Sequence, residues 1–255
     1  MSSEPSEIRI HYSDAANAWS EYRTRVMDLI YAGNIRTIAE IGAGANPLLN
    51  QQFLHSSGTA YHLFDESKEE LEKAGEGYSA HVADFEEPLP DYGIRADLII
   101  IQMTLEHIRQ PEIFFRNVLS LLNEGGKACL FFACPTNLPM LANRILPEWL
   151  SHRMLLFFQP FRRNEKHGKF RAYYRWCYGP TKANLKRLRS AGFGIGEYVG
   201  YYGHNYYAKI PFLHRLEQRK TRFMLAHPNP HFCTYAQVTI FKPVADSPAR
   251  SIQSP

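Results

Sequence analysis

The sequence predicts an α/β chain: one doubly wound, mostly parallel, seven-stranded sheet carrying an inserted helical cap. Three observations predict it. Short apolar runs alternate with helix-like segments along most of the 255 residues, a length that fits one large domain. One run, Leu98–Ile101, is apolar throughout, as a central strand buried on both faces must be. Small, acidic or amide residues also stand just beyond successive strands, where ligands bind in such sheets.

The first predicted strand is Thr37–Ile41, ending at Gly42-Ala43-Gly44. Tyr61–Phe64 precedes Asp65, Ala80–Ala83 precedes Asp84, and Lys127–Ala133 follows a Gly125-Gly126 turn. Gly196–Tyr202 and Thr234–Phe241 complete the seven. Among the helices, Asn46 caps and Pro47 opens a segment running to about Leu54. Ser67–Ala74 is polar and helix-prone. Pro111 opens Glu112–Leu122, whose Ile113, Phe114, Val118, Leu121 and Leu122 recur at helical spacing. Thr181 caps a helix that Gly192 stops, and another runs near Phe212–Met224. Residues 1–34 read as an N-terminal helical segment, 137–178 as the cap, and 246–255 as a disordered tail.

The net charge of +4 hides a division. Residues 1–128 hold 20 acids against 10 Lys and Arg, whereas residues 129–255 hold 5 against 19. Ten of those cations fall between Arg162 and Arg189, beside one acid, Glu165. The acidic half suits a cationic ligand and the basic half an anionic one. The four cysteines show neither CxxC pairing nor metal-ligand spacing and read as reduced thiols of a cytoplasmic protein. No signal-peptide pattern opens the chain, and no apolar run reaches the ~20 residues that span a bilayer.

The chemistry gathers at the strand ends. Glycines in Glu40-Ile41-Gly42-Ala43-Gly44 let the backbone approach a ligand with no Cβ in the way, while the phosphate fingerprint GxGxxG is absent. Asp65, about twenty residues on, stands where an acid holds a ribose hydroxyl pair. Asp84-Phe85 offers a carboxylate beside an aromatic face, and Gln102 follows the buried strand.

This set, AEIGAGANP, YHLFDESKEELEKA, HVADFEEPLP and ADLIIIQMTLEHIRQPEIFFRNVLSLLNEGGKACL, resembles the Rossmann-like class I S-adenosylmethionine-dependent methyltransferases, in particular their small-molecule group. The resemblance covers about residues 35–135 and makes 35–245 the methyltransferase domain. It implies S-adenosyl-L-methionine as cofactor. Glu40, Gly42 and Gly44 would surround its methionine part and Asp65 its ribose hydroxyls. Asp84 would take the adenine amine, Phe85 the adenine ring, and Gln102 would border the methyl group. Asn46 replaces a third glycine common in the family. Gln102–His107 resembles the ExxEH metal site of some relatives, but Met103 replaces its first carboxylate, which predicts no catalytic metal.

Methyl transfer needs an aligned nucleophile and, for a hydroxyl acceptor, a base. His107 is the catalytic candidate and His204 the next. Lys169–Tyr178 interleaves aromatic and cationic side chains, so Arg171, Tyr174, Arg175 and His204 form the expected acceptor contacts. The resulting expectation is O-methylation of a small sugar-containing, anionic or natural-product metabolite. The alternatives are a tRNA methyltransferase holding phosphates with its basic half, or a protein acting at a membrane surface on a lipid-linked acceptor. No RNA-binding module accompanies the basic half, which argues against nucleic acid. The sequence leaves the oligomeric state open.

Overall fold

The structure, a computed structural model, describes residues 8–136 and 171–244. Most of the expected cap and the whole expected tail lie outside the described residues. In chain order the elements are β1 (Arg9–Asp14), α1 (Ala18–Ala32), β2 (Thr37–Ile41), α2 (Gln51–Ser57), β3 (Ala60–Asp65), α3 (Lys68–Lys73) and β4 (Ser79–Val82). Then follow β5 (Ala96–Gln102), α4 (Pro111–Leu121), β6 (Leu122–Ala133), α5 (Lys182–Ser190), β7 (Gly194–Tyr202), α6 (Pro211–Ala226) and β8 (Tyr235–Phe241).

The eight strands form one sheet in the order β1-β7-β8-β6-β5-β2-β3-β4. All pairs are parallel except the two made by β8, which lies antiparallel between β6 and β7. The chain moves outward from β2 through β3 to β4, then starts again on the other side of β2 with β5. That reversal opens a crevice at the carboxyl ends of β2 and β5.

The eighth strand corrects the expectation of seven, and of a purely helical N-terminus. β1 is an edge strand with few apolar residues, so its period is faint. What holds it is the parallel ladder to β7 along all six residues, with Arg9 opposite Glu197, whose carboxylate also pairs with Arg9 and Arg25.

β5 packs as its composition requires. Ile99 and Ile101 join the core layer holding Phe114, Phe115 and Val118 of α4, while Leu98 and Ile100 join the layer holding Tyr22 and Val26 of α1. Each is fully buried, contributing about 1.5–3 kcal/mol. β6 starts earlier than expected, at Leu122. The Gly125-Gly126 pair lies inside it and accompanies a register shift against β5. A second correction falls at α2, which begins at Gln51 with Asn50 as its cap, accepting from the Phe53 amide. Asn46 and Pro47 remain in the preceding loop, where the Leu48 and Leu49 amides donate to Glu40 and to the Tyr61 hydroxyl. Among the described residues, no helix is long and apolar enough to cross a membrane.

Candidate active site

The crevice is built on the loop after β2. The Gly42 amide donates to the Phe64 carbonyl at 2.8 Å, bending the chain toward β3. Gly42 has φ +73° and Gly44 φ +50°, backbone that side chains resist. The first turn has a further reason for glycine: a Cβ on Gly42 would meet Thr104. At Gly44 a Cβ would find only ordinary contacts, with Asp65 Oδ2 at 3.8 Å. That open ledge beside a carboxylate is where a ligand backbone could lie.

Asp65 holds the ledge in place. Its Oδ2 accepts from the Gly44 amide and its Oδ1 from the Ser67 amide, both at 2.9 Å. One lone pair on each oxygen remains for a diol. The next residue, Glu66, is raised above the usual carboxylate range by partial burial and then by Asp84, Asp65 and Glu86. These acids act on one another as a negative field, which favours hydroxyl and amine donors. Asp84 is exposed and caps its own turn, its Oδ1 accepting from the Glu86 amide at 2.7 Å.

Two residues of the expected cofactor contacts are buried here. Glu40 does not line the open space directly. It is 2% exposed, accepts from the Leu48 amide at 2.9 Å and from the Tyr61 hydroxyl, and is pushed by burial up to about 7. It shapes the loop from beneath. Phe85, expected under an adenine ring, is 4% exposed with its ring against Phe64 and Phe114 at 5.6 and 6.1 Å. Its faces are covered by protein because the core layer above β4 and β5 needs that volume.

At the end of β5 the half-buried Gln102 is followed by Met103 at φ +51°. A non-glycine residue in that region carries strain and commonly marks a functional turn. Beyond it a short 3-10 turn, Leu105–His107, fastens the segment that returns at residue 171. The Glu106 carbonyl accepts from the amides of Tyr173 and Tyr174, at 2.7 and 3.1 Å. Tyr174 is the other non-glycine residue with positive φ among the described residues. His107 Nδ1 lies 3.1 Å from the Arg171 carbonyl. A carbonyl only accepts, so Nδ1 carries the proton and Nε2 the lone pair. Burial lowers the His107 pKa, which keeps the ring neutral near pH 7.

The acceptor residues divide. Arg171 and Arg175 are exposed, with the Arg171 guanidinium 5.4 Å from the Tyr173 ring centre. Tyr174 and His204, by contrast, are buried. His204 stands at the carboxyl end of β7 as expected, but its side chain is 1% exposed, packed by Tyr206 and Tyr207 and 3.5 Å from Glu217. Burial lowers it to about 4 despite that carboxylate.

Sequence reasoning missed Thr104, and gave Glu106 only as the second carboxylate of the ExxEH-like run. Thr104 fills the space under Gly42, its hydroxyl donating to the carbonyls of Gln102 and Ile41. Glu106 is 3% exposed, and its Oε2 has no hydrogen-bond partner among the described residues. Burial pushes it up to about 8. Its sequence signal was that place in the run just past a fully apolar strand, and its burial could not be read there. All four cysteines are free and buried, with Cys129 pushed up to about 12 by that burial. Among the described residues, no three His, Cys, Asp or Glu side chains are grouped to hold a metal ion. A separate cavity of about 380 Å³ lies on α5, lined by Lys182, Leu185, Lys186, Arg189 and Ser190.

Residues 39–130 match a family model described as a methyltransferase domain. No curated protein matches the chain. Among solved structures, it is similar to an S-adenosylmethionine-dependent methyltransferase from Mesorhizobium loti, with a TM-score of 0.55 and 18% identity, covering 89% of this chain and 99% of that one. It is also similar to the Haloferax volcanii complex between the Trm112 methyltransferase activator and a methyltransferase, with TM-score 0.54, 15% identity and coverages of 89% and 92%. A third is the [4+2]-cyclase SpnF, with TM-score 0.52, 15% identity and coverages of 94% and 90%. At these identities the likeness shows the shared fold.

Proposed function

For a chain built around an S-adenosylmethionine-dependent methyltransferase domain, we propose O-methylation of a small-molecule acceptor held between the β5 turn and residues 171–175. The observation that carries the cofactor half of this reading is the Asp65–Gly44 clamp: a glycine ledge next to a carboxylate that keeps acceptor capacity for a diol. Gly42, Gly44 and Asp65 would hold the cofactor, with Asp84 at the adenine amine and Gln102 toward the methyl group. Glu40 would support the loop and not touch the ligand. The bound cofactor supplies an electrophilic methyl group on a sulfonium.

The chain's own work is positioning and proton handling. His107, its proton held on Nδ1 by the Arg171 carbonyl, would be the group that takes the proton an acceptor hydroxyl gives up. Arg171 and Arg175, exposed on the segment that His107 contacts, would steer an anionic or sugar-containing acceptor. We read the compartment as cytoplasmic, in keeping with the free buried thiols.

Calorimetric titration with S-adenosylhomocysteine tests the cofactor half of this reading, and saturable binding is expected. Neither heat nor thermal shift at millimolar ligand would remove it. The acceptor half is tested by a methyl-transfer screen across hydroxylated, anionic and amine-bearing metabolites, with activity expected on the hydroxyl class.

A further inference from the structure

Helix α6 is amphipathic the wrong way round for a surface helix. The face it turns to the protein carries Glu217 and Thr221, 7% and 5% exposed, together with the partly buried Met224 and Leu225. The face it turns outward carries Phe212, Leu216 and Phe223, which are 75%, 55% and 59% exposed. At about 100° per residue these three fall within about 40° of one another, so they form a single stripe along the helix. A buried carboxylate opposite an exposed phenylalanine stripe is not what packing against the sheet alone would select.

Charge decorates the same face with one sign. Arg215, Arg219 and Arg222 are exposed along the stripe and none is paired with a carboxylate among the described residues. The one acid of the helix, Glu217, is turned inward and held by Lys220 at 2.6 Å. An apolar stripe edged by arginines, with no exposed acid, fits a headgroup boundary: rings enter the acyl region while guanidinium groups stay with phosphates.

We propose that the outward face of α6 is a docking surface for an anionic lipid bilayer, with Phe212, Leu216 and Phe223 inserted and Arg215, Arg219 and Arg222 on the headgroups. Other occupants are disfavoured by charge. A second copy would bring the same arginines into contact with themselves. Residues 137–170 of this chain carry six Lys and Arg against two Glu, a like-charged cover. α6 follows the carboxyl end of β7, the same edge of the sheet that bears the crevice. None of this depends on methyl transfer.

The test is flotation of the full chain with vesicles of phosphatidylcholine alone or with about one third phosphatidylserine, S-adenosylhomocysteine titration being run in parallel. The chain is expected to float with the anionic vesicles and to stay down with the neutral ones. Phe212→Ser/Leu216→Ser/Phe223→Ser and Arg215→Gln/Arg219→Gln/Arg222→Gln are each expected to abolish flotation while leaving Tm and cofactor titration unchanged. For the arginine variant the loss in partitioning should be roughly 100-fold. Should the serine variant unfold, the glutamine variant decides alone. Undiminished flotation of the folded glutamine variant, equal flotation on neutral vesicles, or binding to single-stranded RNA without vesicle binding would each overturn the assignment. Lost cofactor binding with intact flotation would instead strike only the methyl-transfer reading.

Discussion

Gly42 and Thr104 are complementary: a Cβ on Gly42 would stand 2.2 Å from the Thr104 hydroxyl oxygen and 2.6 Å from its methyl carbon. The β2 loop and the β5 turn therefore touch with no space between them. Gly42→Ala meets both this clash and a φ of +73° and should destabilise the fold by about 2 kcal/mol or more. Adding Thr104→Gly should recover only the steric part. Urea unfolding of the three variants separates the two contributions, and full recovery in the double variant would show that φ costs nothing here.

Asp65→Ala should weaken S-adenosylhomocysteine binding roughly 100-fold, since it removes a charge-assisted diol contact and the anchor of Gly44. Asp84 is exposed and half committed to the Glu86 amide, so Asp84→Ala should cost about 10-fold or less. Calorimetry on both variants decides the order. Similar, small losses would refute the ribose assignment.

Glu106 makes stability depend on pH in a definite direction. Its folded pKa, about 8, lies above the unfolded value near 4.5, because burial favours the neutral acid. Its contribution is therefore complete below about pH 4.5 and is lost as pH rises through about 8. Between those values the unfolding free energy should fall by about 1.4 kcal/mol for each pH unit. Glu106→Gln and Glu106→Ala should both flatten that decline, the alanine variant with the added cost of a cavity. An unchanged slope in the glutamine variant would show that Glu106 does not titrate in this range.

His107→Gln should lower kcat by about 10²- to 10⁴-fold on a hydroxyl acceptor and leave cofactor affinity alone. The wild-type rate should rise with pH through an inflection below 6.5, since burial lowers this imidazole, and the variant should lack that inflection. Retention of the inflection would assign it to another group.

Arg171→Ala/Arg175→Ala should raise the acceptor KM without changing cofactor affinity or Tm. The Arg171 carbonyl that orients His107 is backbone and survives the substitution. A stable double variant with wild-type acceptor kinetics would remove both guanidinium groups from the site.

The sequence by itself determined the parallel core and the chemistry of its edge. Leu98–Ile101 can only be a strand buried on both faces, and Gly42, Asp65, Asp84 and Gln102 follow strands whose apolar runs mark their own ends. Those are local signals, carried within a few residues of chain. Tertiary structure decided what rests on remote partners. β1 is a strand because β7, far along the chain, offers it a parallel edge, with Arg9 opposite Glu197. The loop before α2 is fastened by Glu40 and Tyr61, which take the Leu48 and Leu49 amides. Phe85 and His204 read as open contacts from their positions, yet both are enclosed by side chains from other elements, and the outward stripe of α6 becomes visible only once Glu217 is seen to be turned inward. Spacing sets where a strand ends; which way each side chain then faces depends on the volume and charge that the rest of the fold brings to it.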